Sequence, residues 1–306
     1  MSGRGPTEPR SSRGRLSADA RGALWMLAGG MSMTIAHSTF KHLASELPFG
    51  VVIFCRHVIG TSILLAVFLG RGLGHGRISL HTSRFAGHFW RTLFGFSAYV
   101  TFVYALTRLR LADTVALSFT APFWAALIAI TVLRERVVPL RLLATLAGFG
   151  GVVLIAKPGG SFDVAMAVAL LSAFMTSFAM LQVKQLSGSE GPDVITFYFM
   201  AIGIGLATPF ALANWQTPSP RHLPYLLVIG GFSLMGQQFL TRGYSIGTFS
   251  KMAPMDFLRL PLSVAIGLAF FSEVPDLWSI VGMVVIGAAS LAVVLSGRAP
   301  RPGAGR

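Results

Sequence analysis

Ten stretches of this chain, each about 20 residues long and dominated by apolar side chains, follow one another with only short connections between them. They fall near 22–41, 49–70, 87–107, 111–133, 139–156, 162–183, 193–214, 222–244, 252–272 and 277–296. About 20 apolar residues is the length at which an α-helix crosses the hydrocarbon core of a bilayer. Only 12% of the 306 residues are charged and 53% are hydrophobic, whereas a soluble domain carries about 25% charged residues. Strands of alternating polarity, the mark of a membrane barrel, are absent. The expectation is an all-α polytopic membrane protein with ten transmembrane helices, the lipid bilayer as its partner, and no room for a soluble domain.

The net charge is +14, and its placement tells more than its size. With the N-terminus on the cytoplasmic side, eighteen of the 25 lysines and arginines fall on cytoplasmic segments. Arg71, Arg77, Arg84 and Arg91 form one such group. Lys41, Arg108, Arg110, Lys157 and Arg221 fall on the far side, and Arg56 and Arg259 lie within helices. This asymmetry follows the positive-inside rule. It places both termini in the cytoplasm of a bacterial inner (plasma) membrane protein, and it makes the basic surplus a topology signal with no nucleic-acid partner. Trp25 and Trp90 at one set of helix ends, and Trp215 and Trp278 at the other, suit an aromatic belt.

The lone cysteine, Cys55, excludes an internal disulfide and a cysteine-based metal site. Residues 1–20 are rich in Arg, Ser, Gly and Pro and are expected to form a disordered basic tail. No small-residue cleavage site closes the apolar run behind them, so they are not expected to belong to a signal peptide.

Two segments repeat one pattern. Pro122 is followed by an apolar run to Glu135, then Pro139 and a Gly-rich helix. Pro261 is followed by an apolar run to Glu273, then Pro275 and a Gly-rich helix. Ten helices thus divide into five and five. Because five is odd, the halves must lie in opposite orientations, the arrangement of secondary transporters with a site between the halves. The expected segments are a tail at 1–20, a first repeat at 21–157, a second at 158–297 and a cytoplasmic tail at 298–306.

The stretches "KHLASELPFGVVIFCRHVIG", "LADTVALSFTAPFWAALIAITVLRE", "GFGGVVLIAKPG" and "MAPMDFLRLPLSVAIGLAFFSE", in that order, resemble the EamA-like, ten-helix branch of the drug/metabolite transporter superfamily. The resemblance covers nearly the whole chain apart from the two tails. It implies an inner-membrane carrier of a small metabolite. Relatives in that family handle amino acids, vitamins, nucleoside-like cofactors and metallophores.

Charges inside a bilayer are costly and mark functional positions by default. Asp256 and Arg259 are three residues apart and share a helical face with Met252, Ser263 and Gly267. They form either the wall of a substrate cavity or a self-neutralised structural pair. The matching stretch of the fourth helix, "LSFTAP", offers only Ser118 and Thr120, and that asymmetry favours a substrate role. Arg259 is suited to a carboxylate or phosphate through parallel hydrogen bonds. Asp256 is suited to an amine or a coupling proton. Arg56 is the other intramembrane charge. Its alternatives are a ligand contact, snorkelling, or a bond to facing carbonyls, and His57 beside it points about 100° away on a helix. Lys41 is expected to anchor the end of the first helix, and Glu135 and Glu273 to serve the scaffold at turns.

Tyr104, Thr120 and Gln238 complete the expected substrate-binding set of Asp256, Arg259, Ser263 and Arg56. His37, Trp124, Gln182 and Gln237 are further polar candidates, each equally suited to bonding between helices. The glycine pairs at 29/30, 150/151, 203/205 and 282/287 suit close helix contact. Pro122, Pro209 and Pro261 suit kinks. No HExxH, GxSxG or Walker-type sequence occurs, so no catalytic residue, metal site or cofactor is expected. The function expected is secondary transport of a small polar or amphipathic metabolite by alternating access, by a monomer or homodimer. The alternative is a membrane-embedded sensor, scaffold or enzyme.

Overall fold

The structure, a computed structural model, describes residues 18–70, 80–131, 139–156, 163–246 and 259–296. Among these residues the chain is all-helical. It forms α1 (Ala18–Leu43), α2 (Phe49–Gly70), α3 (Phe85–Leu106), α4 (Leu111–Ser118), α5 (Ala121–Thr131) and α6 (Pro139–Ala156). It continues through α7 (Val164–Leu186), α8 (Pro192–Ala213), α9 (Leu223–Ile246), α10 (Arg259–Phe271) and α11 (Leu277–Ser296). Four helical stretches are long and apolar enough to cross a membrane by themselves: Phe49–Gly70, Val164–Val183, Pro192–Ala213 and Pro220–Gly243.

Local chemistry sets several helix ends. The Asp163 carboxylate accepts from the Ala165 N–H (2.8 Å) and caps α7. Pro192 opens α8, where its missing N–H costs nothing. Asp276 accepts from the Ser279 N–H (2.9 Å) at the start of α11. Pro209 sits inside α8 without ending it.

One expected span is interrupted. The run 111–133 is two helices, α4 and α5, meeting at Phe119 and Thr120. Pro122 has no N–H for the Ser118 carbonyl, and its ring crowds that position. The chain tightens there into three-residue bonds, from the Phe119 N–H to Ala116 O (3.0 Å) and from the Thr120 N–H to Leu117 O (3.1 Å). The Phe119 carbonyl takes the Ser290 hydroxyl of α11 instead (2.6 Å). Unpaired backbone groups are costly in a lipid setting, so a break of this kind persists only where neighbours satisfy it.

The largest interfaces each join an early helix to a late one: α1 with α9, α2 with α8, α3 with α7, and α6 with α11. All four run antiparallel, because contacts descend in one helix as they rise in the other. Met26, Gly29 and Met33 of α1 meet Gly243, Leu240 and Gly236 of α9. Gly50, His57 and Gly60 of α2 meet Phe210, Gly203 and Met200 of α8. At α6 and α11 the contact is reciprocal: a Cβ on Gly151 would lie 2.9 Å from Gly282 O, and one on Gly282 only 2.6 Å from Gly151 O. Glycine lets the two backbones touch. Large apolar side chains such as Leu69, Leu212, Phe270 and Leu277 cover the outer surface.

Among the described residues the turns gather at two ends, and polar ties join turns within each end. At one end Lys41 pairs with Glu273 and donates to Leu109 O (2.6 Å), while Glu273 also accepts the Leu111 N–H (2.7 Å). Ser272 there adopts φ 53, a left-handed conformation, and the following Glu273 N–H reaches back to Gly267 O (2.9 Å). Arg110 joins the Asp113 carboxylate (2.6 Å), Asp276 (3.2 Å) and the Ser279 hydroxyl (2.6 Å). Burial opposes the charge on Arg110, but Asp113 and Asp276 outweigh it and hold its pKa above the ordinary arginine value. At the other end Glu190 accepts from Thr82 and lies 3.3 Å from His88, and Arg242 meets Asp193 (3.1 Å).

Candidate functional site

Inside the bundle, between these two ends, lies a second set of polar groups. His37 of α1, Arg56 of α2 and Tyr99 of α3 each sit six or seven residues from the end that carries Lys41 and Glu273. At 1.5 Å per residue they share a depth of about 10 Å. Arg56 is 2% exposed, and its guanidinium lies 4.0 Å from the centroid of the Tyr99 ring, a cation–π distance. The His37 ring packs against Phe102 (4.5 Å) and Tyr99 (6.3 Å). Both Arg56 and Arg259 come near enough to act on His37 electrostatically.

Arg259 of α10 is half-buried, with its guanidinium 5.8 Å from the centroid of Phe119 at the break between α4 and α5. When the two proline-containing stretches are aligned on Pro122 and Pro261, Thr120 falls at the position of Arg259. The interrupted helix and the Arg259 guanidinium therefore meet at one place. Several buried polar atoms around it lack a hydrogen-bond partner: His37 Nδ1, Arg56 Nε, and the Tyr99 and Ser233 hydroxyls. Tyr99 and Ser233 face one another across α3 and α9, outside hydrogen-bonding geometry. Buried polar groups are normally satisfied, so such a concentration marks a place that a ligand or water can complete. Among the described residues, no three His, Cys, Asp or Glu side chains gather as a metal site.

The expected site residues divide as follows. Arg56 stacks on Tyr99, which also flanks His37, and Arg259 stands at Phe119 by the helix break. Gln238 is buried on α9 with both amide atoms unpartnered. Ser263 is fully buried, but its hydroxyl is turned back onto Leu260 O (2.7 Å). Thr120, at the helix break, likewise bonds Leu117 O (2.7 Å). Tyr104 stands apart, its ring beneath the exposed Arg108 (5.4 Å), toward the end of α3. Asp256 and Met252 lie outside the described residues, as does Glu135.

Two expectations about cations change. Arg56 and His57 do touch: the guanidinium bends back so that its Nη1 lies 3.1 Å from His57 Nε2. At 2% exposure Arg56 does not snorkel, and among the described residues it reaches no carbonyl. Arg91, counted above with a cytoplasmic flank, is buried in α3 at 4% exposure. Its signal in the sequence is the face His88, Arg91, Gly95, Tyr99 and Phe102, spaced three and four residues apart.

The EamA-like transporter family matches twice along this chain, over residues 20–157 and 164–295. A riboflavin transporter of Brucella anthropi is 31% identical over 252 residues, covering 80% of this chain and 87% of its own length. A pseudopaline exporter, CntI, of Pseudomonas aeruginosa is 29% identical over 89% of this chain and 95% of its own. An S-adenosylmethionine uptake transporter of Rickettsia prowazekii is 28% identical over 90% and 92%. A crystal structure with 16% sequence identity superimposes with a TM-score of 0.60 over 90% of this chain and 95% of the other, a likeness of fold alone.

Proposed function

The chain belongs to the EamA-like transporter family and is a membrane transporter rather than an enzyme, and from that premise we propose that it is a secondary carrier working by alternating access. The cargo is a small polar or amphipathic metabolite, of the vitamin, amino-acid or nucleoside-like cofactor class to which the named cargoes of its relatives point. The observation that carries this is the meeting of the α4–α5 break with Arg259, beside His37 and Arg56, in the interior between the two halves. Carriers place substrate sites at discontinuous helices between repeats.

Ten spans and an inverted repeat fit the packing. Counting α4 and α5 as one span, the pairings are first with eighth, third with sixth, second with seventh, and fifth with tenth. Exchanging the halves turns the first of these into the second and leaves the other two unchanged, as a two-fold relation between halves requires. Antiparallel contacts throughout suit spans that alternate in direction. The charge asymmetry supports cytoplasmic termini, with the Lys41–Glu273 end on the far side of the inner membrane. Arg259, Ser263, Thr120, Gln238 and Arg56 are the residues assigned to this site, with Asp256, outside the described residues, as a further candidate for cargo recognition and Tyr104 apart toward the end of α3.

The test is exchange in proteoliposomes with a metabolite panel that includes riboflavin, S-adenosylmethionine and amino acids. Wild-type protein saturates and shows counter-exchange. Asp256→Asn and Arg259→Gln insert normally but lose or alter cargo dependence. Normal transport by both variants would make the pair structural. No exchange of any compound under any gradient would overturn the carrier itself.

A further inference from the structure

Arg91 lies six residues into α3, counted from the end that carries Glu190, and no carboxylate meets it among the described residues. Its guanidinium stacks 3.7 Å from the centroid of Phe199 on α8. Arg56 stands 5.9 Å from the same ring, and its other ring contact is Tyr99. Two guanidiniums therefore share one aromatic side chain across α2, α3 and α8. Ring faces recover only part of the hydration that a buried cation has lost.

The rings cover guanidinium faces and leave edges open. Arg91 Nε and Nη1, and Arg56 Nε, are buried without an acceptor. His57 does not supply the missing charge. Its Nδ1 lies 2.9 Å from Ile53 O, a carbonyl that can only accept, so Nδ1 carries the proton and Nε2 accepts from Arg56 Nη1. At the end of the same α3 face, the Glu190 carboxylate is engaged by Thr82 and His88.

The space is built by glycine. A Cβ on Gly95 would lie 3.2 Å from Phe199 and 3.4 Å from Arg91 Nη1, and one on Gly203 would overlap the His57 ring at 2.2 Å. These positions let the long cationic side chains lie between helices rather than reach out of them.

We propose that Arg56 and Arg91, with Phe199 between them, form an anion-binding site for the carboxylate or phosphate group of a small soluble molecule, and that the transported metabolite bears such a group. The missing counter-charge then arrives with the cargo, and charge-assisted bonds to open guanidinium edges hold it. This builds on the carrier function proposed above and names the chemical class of its cargo.

The experiment uses the full chain in nanodiscs, with citrate and inorganic phosphate as probes and sodium chloride at matched ionic strength as control. Calorimetric titration is expected to show saturable binding of at least one probe. Arg91→Gln is expected to weaken it about 10-fold or more, while Arg91→Lys, which keeps the charge, retains part of it. Binding that is the same in phosphatidylcholine and phosphatidylglycerol discs supports a soluble ligand. Binding lost in phosphatidylglycerol discs would assign the site to a lipid headgroup and overturn the proposal. So would wild-type protein that binds neither probe, a result that needs no variant to fold, or Arg91→Gln protein that binds as wild type does. Anion binding without exchange of any metabolite would sink the carrier function and leave this site. Metabolite exchange without anion binding would sink this site alone.

Discussion

The Lys41–Glu273 end and the interior around Phe199 hold the same kind of residue in opposite ways. At the end, Lys41 meets Glu273, and Arg110 meets both Asp113 and Asp276. In the interior, Arg56 and Arg91 meet aromatic rings and a neutral imidazole. The first arrangement neutralises charge within the protein and ties turns from distant parts of the chain. The second leaves buried charge uncompensated, which stability alone does not favour. The contrast separates groups that hold the bundle together from groups positioned for something that arrives.

The comparison breaks if the two regions respond alike to substitution. The largest effect is expected from Glu273→Ala, which removes the counter-charge of Lys41 and the acceptor of the Leu111 N–H together. It should cost about 3 kcal/mol of unfolding free energy, read by chemical denaturation in detergent, and a loss below about 0.5 kcal/mol would undo the stabilising role. Arg91→Met should move the other way. Removing an uncompensated buried charge for an apolar side chain of similar length should leave stability equal or raised by about 1 kcal/mol, in the same denaturation assay, while anion binding is lost. A fall in stability as large as that of Glu273→Ala would mean that Arg91 is structural.

Smaller effects sharpen the picture. Ser290→Ala removes the donor to the Phe119 carbonyl at the helix break and should cost about 1–2 kcal/mol, with altered cargo affinity in the exchange assay because Phe119 lies under Arg259. Ser272→Gly relieves a left-handed serine beside Glu273 and should raise the melting temperature by a few degrees, corresponding to roughly 1 kcal/mol. No gain would show that the conformation is unstrained.

The helices themselves were legible. The apolar runs at 49–70, 139–156 and 277–296 coincide with α2, α6 and α11, because segment length against membrane thickness is a property of local composition. The candidate site was legible only in part. Pro122 was visible as a kink, but whether a proline bends a helix or splits it depends on who satisfies the carbonyls around the break. The partner of one of them, Phe119 O, is Ser290, 171 residues away. Arg91 counted as a flanking charge because its position near a helix end is all that sequence spacing shows. Arg56 and His57 were separated by helical angle, yet a guanidinium on a flexible stem bends back across it. Lys41 read as an end anchor, and its partner Glu273 is 232 residues distant.

By itself the sequence determined that this chain is a helical membrane protein, where most of its helices run, that two stretches repeat, and which family it resembles. Hydropathy, helix length and motif order are sums over neighbouring residues, and neighbours are what a sequence states. Only the tertiary structure decided which buried cations meet carboxylates and which meet rings. A charge's environment is set by side chains from helices remote in the chain, through contacts a few ångströms across that no local pattern encodes.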